Sequence, residues 1–253
     1  MRQIKPKSSI IYSGPSMIDG KPIVCIAIIK SGNSKTGNMI QTHILRADVN
    51  PLEASRTGAD VSICGTCQHR GTPHDGSNGK KTATMRSCYV NLGQGPLIVF
   101  KGLQRGIYPT ATPEQTRAIG AGRMVRLGTY GDPVAVPSRV WNELLSDAEG
   151  HTGYTHQHDA EPDYHYLMAS ADSAADSIRF NAQRIRTFRV IPVSDWTNKG
   201  KDSILQHEVL CPASKEAGYK STCNDCMLCK GSSIKAKSIC IVAHGTSRNS
   251  VKG

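Results

Sequence analysis

Aromatic residues are scarce in this chain, with three Phe, two Trp and eight Tyr among 253 residues. No run of 18 apolar residues occurs, which excludes a helix that spans a membrane. The opening stretch MRQIKPKSSIIYSGPS has no continuous apolar segment and no cleavage site. The expected setting is therefore the cytoplasm, the host's if the protein is phage-encoded. A phosphate loop is also missing: KSGNSKTGN lacks the G-x4-G-K-[ST] spacing and no helix pattern follows it. No internal repeat is visible. Positive charge is absent from one segment altogether. Between Arg139 and Arg179 there is no Lys or Arg, but there are eight acids, Glu143, Asp147, Glu149, Asp159, Glu161, Asp163, Asp172 and Asp176.

The chain as a whole carries +11, so everything outside that acidic segment carries +19. A basic body with one acidic stretch predicts a polyanionic partner, most simply nucleic acid. RFNAQRIRTFR places Arg179, Arg184, Arg186 and Arg189 within eleven residues, and these are the expected phosphate contacts. The length suffices for a core without covalent staples.

Residues 1–22 are polar and read as a flexible arm, residues 23–210 as a βα domain, and residues 211–253 as a C-terminal cysteine-rich metal-binding segment with a last strand. IVCIAIIK and MIQTHILRA read as strands, and NPLEASRTGA as a short helix capped by Asn50 and stopped by Gly58. GPLIVFKGLQRG has the look of a helix. Further on, RMVRLGTYG, TGYTHQ, YHYLMASAD, TFRVIPV, HEVLCP and SICIVAHG are strands, with helices at PSRVWNELLSDAEG and SAADSIRFNAQRI. Strands alternating with helices predict an α/β fold of mostly parallel βα repeats, a full or partial barrel.

Nine cysteines in a reducing compartment argue for metal or redox chemistry rather than disulfides. Cys25 and Cys240 lie within apolar runs and read as small core residues. Cys211, Cys223, Cys226 and Cys229 form C-x11-C-x2-C-x2-C, enough thiolates for one metal centre. Two C-x2-C steps sharing a middle cysteine favour a [4Fe–4S] cluster, with zinc as the alternative. Cys64, Cys67 and Cys88 form C-x2-C-x20-C and lack a fourth ligand. His69 or His74 could complete a Cys3His site. With the fourth position open, the set resembles the three-cysteine cluster of radical S-adenosylmethionine enzymes, whose core is a βα barrel, and S-adenosylmethionine would then be a cofactor. The usual spacing of that family is C-x3-C-x2-C, from which this chain departs.

GYTHQHDAEPDYH offers His156 and His158 beside Tyr154, Tyr164 and Tyr166, a His-x-His pattern that could hold a divalent ion near a tyrosine nucleophile. Asp132, Thr155, Gln157, Ser170, Asp172 and Ser173 all fall at carboxyl ends of expected strands, where βα folds place ligands. Asp132, Tyr154, Gln157 and Asp172 are the catalytic candidates, although Asp172 could equally cap the helix that follows it.

The order of motifs resembles a family of phage- and prophage-encoded cysteine-cluster proteins. The blocks are N-S-K-T-G at 33–37, C-G-x-C…R-S-C-Y at 64–89, R-L-G-x-Y-G-D-P at 126–133, G-Y-T-H-Q at 153–157 and C-P-A-S…C-x2-C-x2-C-x-G at 211–231. The resemblance implies a viral or mobile-element setting and no particular activity. The leading expectation is a phage-type metal-centre protein that binds nucleic acid and in addition processes it. The alternatives are a radical S-adenosylmethionine-like iron–sulfur enzyme and a non-catalytic scaffold stabilised by zinc.

Overall fold

A computed structural model describes residues 7–32, 35–158, 164–233 and 235–252. Its strands form two five-stranded sheets. The first contains, in spatial order, β1 (Ser9–Pro15), β2 (Pro22–Ile28), β3 (Ile40–Arg46), β4 (Met124–Tyr130) and β5 (Gly150–Thr152). β1, β2 and β3 pair antiparallel, whereas β3, β4 and β5 pair parallel. The second contains β6 (Tyr154–Thr155), β7 (Met168–Ala171), β8 (Thr187–Ile191), β10 (Ser238–Val242) and β9 (Glu208–Leu210), all parallel.

Helices α1 (Pro51–Thr57) and α2 (Val61–Cys64) follow β3, and α3 (Gly95–Gln104) and α4 (Pro113–Gly120) precede β4. α5 (Ser138–Leu145) leads to β5, α6 (Ala174–Ala182) connects β7 to β8, and α7 (Val193–Lys199) follows β8. One helical turn, α8 (Cys223–Cys226), lies between β9 and β10.

Local sequence explains most of these elements. β2 is an unbroken apolar run because both of its faces are covered, and β3, although it carries Gln41, Thr42, His43 and Arg46, is buried along its whole length. Asn50 accepts from the backbone N–H of Leu52 and Glu53 at the start of α1, and Gly58 closes it in the left-handed conformation. α5 buries Val140, Trp141 and Leu144, and the Trp141 indole donates to Pro133 O at 2.9 Å. The main aliphatic core lies between the first sheet and helices α3, α4 and α5. A smaller core in the second sheet consists of Met168, Cys211, Ala213, Ile239 and Ile241, with Cys223, Leu228 and Cys229 packed against it. Cys25 and Cys240 are fully buried core residues, as their apolar surroundings predicted.

Gly153 alone separates β5 from β6, so one stretch of chain is the edge strand of both sheets. A Cβ there would stand 2.7 Å from Leu167 Cδ2 and 3.0 Å from Leu127 Cβ, so only glycine lets the strand pass between those side chains. The βα character and the parallel pairing agree with expectation. Among the described residues no ladder joins β1 to β9, so these strands do not close a full barrel.

The expected flexible arm does not hold throughout. Residues 1–6 of the arm lie outside the described residues, but Ser9–Pro15 is an edge strand on β2 with Ser9 and Ile11 buried. The cysteine-rich segment contains its expected last strand, β10, which lies between β8 and β9 inside the second sheet.

Candidate metal-centre site

The first cysteine set is assembled by backbone. Cys64 ends α2, and a turn returns Cys67 N–H to Cys64 O at 3.2 Å. Thr72 and Thr84 exchange backbone bonds of 2.8 and 2.9 Å, closing the neck of the long loop. Cys88 N–H then donates to His69 O at 3.1 Å, which sets Cys88 beside the Cys67 turn despite the twenty intervening residues. Arg70 fastens the arrangement through Asp60 at 2.7 Å and through the carbonyls of Gly58 and Gly65. Gly65 has φ +54, and a Cβ there would overlap the Gln157 amide. Gln157 is thus a wedge against the cysteine turn, bonded to Cys64 O and Thr66 Oγ1.

Carboxyl ends of the parallel strands supply the rest. After β4, Asp132 accepts from Val134 N–H at 3.1 Å and His156 N–H at 2.8 Å. Burial raises its pKa against those bonds and the nearby imidazole. After β6, His156 Nε2 lies 3.0 Å from Asp172 Oδ1, and Asp172 also stands 3.7 Å from His69 Nε2. Burial alone would lower the His156 pKa, but the Cys67 sulfur and the Asp172 carboxylate outweigh it and hold the imidazole well above its ordinary value. Burial and the neighbouring Asp60 push the Cys64 thiol well up. Asp172 is not the cap of α6, a role taken by Ser173.

Among the described residues, His69, His156 and Asp172 are the one group of three His, Cys, Asp or Glu whose ligand atoms lie within 4.8 Å of one another. Of the two histidines considered for a Cys3His site, His69 lies in the cavity wall with Cys64, Cys67 and Cys88, but its close ligand partners are His156 and Asp172. His74 is not in that wall, and its ring bonds to Thr82 O and Gly76 N–H in the outer loop. The His-x-His reading fails. β6 ends at Thr155, His156 turns to Asp172, and His158 packs edge-on against Phe180 at 4.2 Å. The acids that follow, Asp159, Glu161 and Asp163, lie outside the described residues.

The second set is embedded in positive charge. Cys223 N–H donates to Lys35 O, and Gly153 N–H donates to Cys229 O, so the loop lies over the start of β6. Arg186, 4% exposed, reaches Leu228 O at 2.6 Å, Lys230 O at 3.4 Å and Lys237 O at 2.8 Å. Burial pushes the Cys229 thiol up to about 12, with Arg126 and the Tyr154 hydroxyl pulling the other way. Burial also raises Cys211, against the pull of Lys35.

Three cysteines of each set line one cavity of about 220 Å³, Cys64, Cys67 and Cys88 of the first and Cys211, Cys223 and Cys229 of the second, together with His69, His156, Asp132, Asp172, Tyr154 and Arg126. Cys226, at the end of α8, is not part of that lining. Sequence reasoning missed Arg126, though an arginine inside the strand MVRLGTY was a signal. It also missed Tyr89 and Phe188, which sit on the cavity wall.

The four expected phosphate contacts separate. Arg186 is occupied by backbone carbonyls, and Arg189, also 4% exposed, pairs with buried Glu208 at 2.6 Å. Side chains enclosed in this way cannot reach a polyanion, so these two leave the proposed interface. Arg184 is exposed, while Arg179 pairs with Asp176 at 3.4 Å and lies over the Phe180 ring.

No family model, curated protein or solved structure matches this chain, so function has to be argued from the site itself. Among the described residues no helix is long and apolar enough to cross a membrane.

Proposed function

We propose that this protein is an iron–sulfur enzyme acting on a small molecule enclosed between its two cysteine sets. The observation that carries the reading is their shared cavity. Two structural zinc sites have no reason to face the same internal space, whereas a reactive centre and its electron or substrate partner do. The two C-x2-C steps that share Cys226 support iron–sulfur over zinc at the second set.

Cys211, Cys223, Cys226 and Cys229 would hold a four-thiolate centre. Cys64, Cys67 and Cys88 would hold a second one whose remaining position faces the cavity. Such a three-cysteine cluster, when bound, supplies one iron open to an exogenous ligand, as reductive cleavage of S-adenosylmethionine requires. The cavity is lined from the carboxyl ends of parallel strands, by Asp132 after β4, His156 after β6 and Asp172 after β7, where βα folds place ligands. Around it, this chain's residues have separate tasks. His156, held against Asp172 at 3.0 Å, can exchange a proton at the cavity wall, and Asp132 fixes the backbone that carries it. Gln157 holds the Cys64 turn.

Nucleic acid remains a second reading, supported by the net charge of +11 and by exposed Arg184. A cavity of about 220 Å³ does not admit a duplex, so a polymer would bind outside it. The test is anaerobic purification, metal and sulfide analysis, and a visible spectrum. Iron with acid-labile sulfide supports the reading. A colourless protein that retains stoichiometric zinc through reconstitution with iron and sulfide overturns it.

A further inference from the structure

Arg126 projects from β4 into the cavity and is 8% exposed. Its guanidinium makes two hydrogen bonds, to Tyr154 Oη at 3.2 Å and to Tyr89 Oη at 2.9 Å. Among the described residues no carboxylate forms an ion pair with it. The three carboxylates lining the cavity are engaged elsewhere: Asp60 with Arg70, Asp172 with His156, and Asp132 with two backbone N–H groups. A buried cation without a counter-charge is costly, and phenol oxygens do not neutralise it. Five donors on a guanidinium with two engaged by side chains leave others for a ligand.

The surroundings are shaped for one. Tyr154 stacks on Phe188 at 4.2 Å and Tyr89 on His244 at 5.3 Å, so each phenol that holds Arg126 belongs to an aromatic pair on the cavity wall. A charged anchor between flat apolar walls is the usual composition of a small-molecule site. Lys35, in the same wall, adds positive charge. The geometry points to Arg126 as the anchor for the anionic group, a carboxylate or a phosphate, of a small substrate held between the two cysteine sets. This rests on the reading of the cavity as a reaction chamber. The competing role for Arg126 is to balance thiolate charge at Cys223 and Cys229.

Thermal unfolding of the reconstituted full-length protein, titrated with acetate, inorganic phosphate or neutral acetamide at constant ionic strength, separates these roles. At least one anion should raise the melting temperature saturably, and acetamide should not. Whichever of acetate and phosphate acts at lower concentration names the source of the charge. Arg126→Gln should weaken the effect by about ten- to a hundredfold, as expected for losing a charge-assisted hydrogen bond. Its visible spectrum and iron content should stay as in the parent. Arg126→Lys, which keeps the charge, should retain part of the binding and serves if the Gln variant does not fold. The proposal is overturned if neither anion acts saturably on the parent. It is overturned equally if the folded variants bind anion as the parent does, or if both lose the second centre's iron. Parent iron and sulfide content tests the chamber reading separately, so failure of one is not failure of the other.

Discussion

The two cysteine sets face the same cavity from different electrostatic surroundings. The first lies among groups that exchange protons, Asp60, Asp172, His69 and His156, with Arg70 paired to Asp60 and Arg86 bonded to Cys88 O. The second has, among the described residues, no carboxylate or imidazole bonded to it, lies beside Lys35 and Arg186, and packs into the small core of the second sheet. Cations beside thiolates stabilise a centre of permanent negative charge. Histidines and carboxylates beside thiolates suit a centre whose surroundings change protonation during a reaction. On the proposed reading, the difference assigns the second set to holding the fold around the cavity and the first to the reaction in it.

The largest way to break this comparison is Cys229→Ser. Cys229 packs on the second core, and a metal centre whose ligands assemble only in the folded chain adds its binding free energy to folding. Metal content should fall by one centre, and the second sheet should lose its cooperative melting. Cys88→Ser should instead lose the other centre while leaving that transition in place.

Glu208→Gln comes next. Glu208 pairs with Arg189 at 2.6 Å, with both side chains nearly inaccessible. Removing one charge of a buried pair costs about 3–5 kcal/mol. Denaturant unfolding should register that loss, and metal should become easier to remove from the second set than from the first.

A smaller effect, in the first sheet, is set by pH. Burial lowers the His43 pKa to about 4, and among the described residues its Nδ1 has no hydrogen-bond partner. The unfolded chain takes up this proton near its ordinary pKa of about 6.5, the folded chain only near 4. Stability should therefore fall as pH drops between those values, by about 3 kcal/mol, and this contribution should be level below them. His43→Leu should remove that part of the slope, seen as the difference between two stability–pH profiles.

Asn50→Ala is the smallest. It deletes the cap of α1, just ahead of the Cys64 helix, at a cost of about 1 kcal/mol. Melting should shift slightly while both centres keep their metal. Metal loss here would mean that the first set is far more fragile than its backbone bonds suggest.

Much of this was legible in the sequence because it rests on local rules. The Asn50-Pro51 start, the Gly58 stop and the apolar run of β2 each named their element. α4 was legible but overlooked: Thr112-Pro113-Glu114-Gln115 is a complete capping box. β1 was hidden because an edge strand needs only alternate burial, and its polar neighbours masked it. The second cysteine set was readable from spacing. The first needed the Thr72–Thr84 closure, a contact that no spacing rule anticipates. Arg186 and Arg189 looked like surface charge because sequence shows the charge and not the carbonyls or the carboxylate that hold it. Arg126 was visible in the strand, but its solitude depends on where Asp60, Asp132 and Asp172 turn, which only the fold decides.

The central claim, two metal centres with different work on one cavity, is tested most directly by Mössbauer spectroscopy of three anaerobically reconstituted proteins. These are the parent, a variant with Cys64, Cys67 and Cys88 changed to Ala, and a variant with Cys211, Cys223, Cys226 and Cys229 changed to Ala. The account predicts two cluster signals in the parent, with the first variant keeping the second-set signal alone. If the second variant does not fold, the first still decides the matter by what it retains. A parent with one signal, or a first variant whose spectrum matches the parent's, would contradict it.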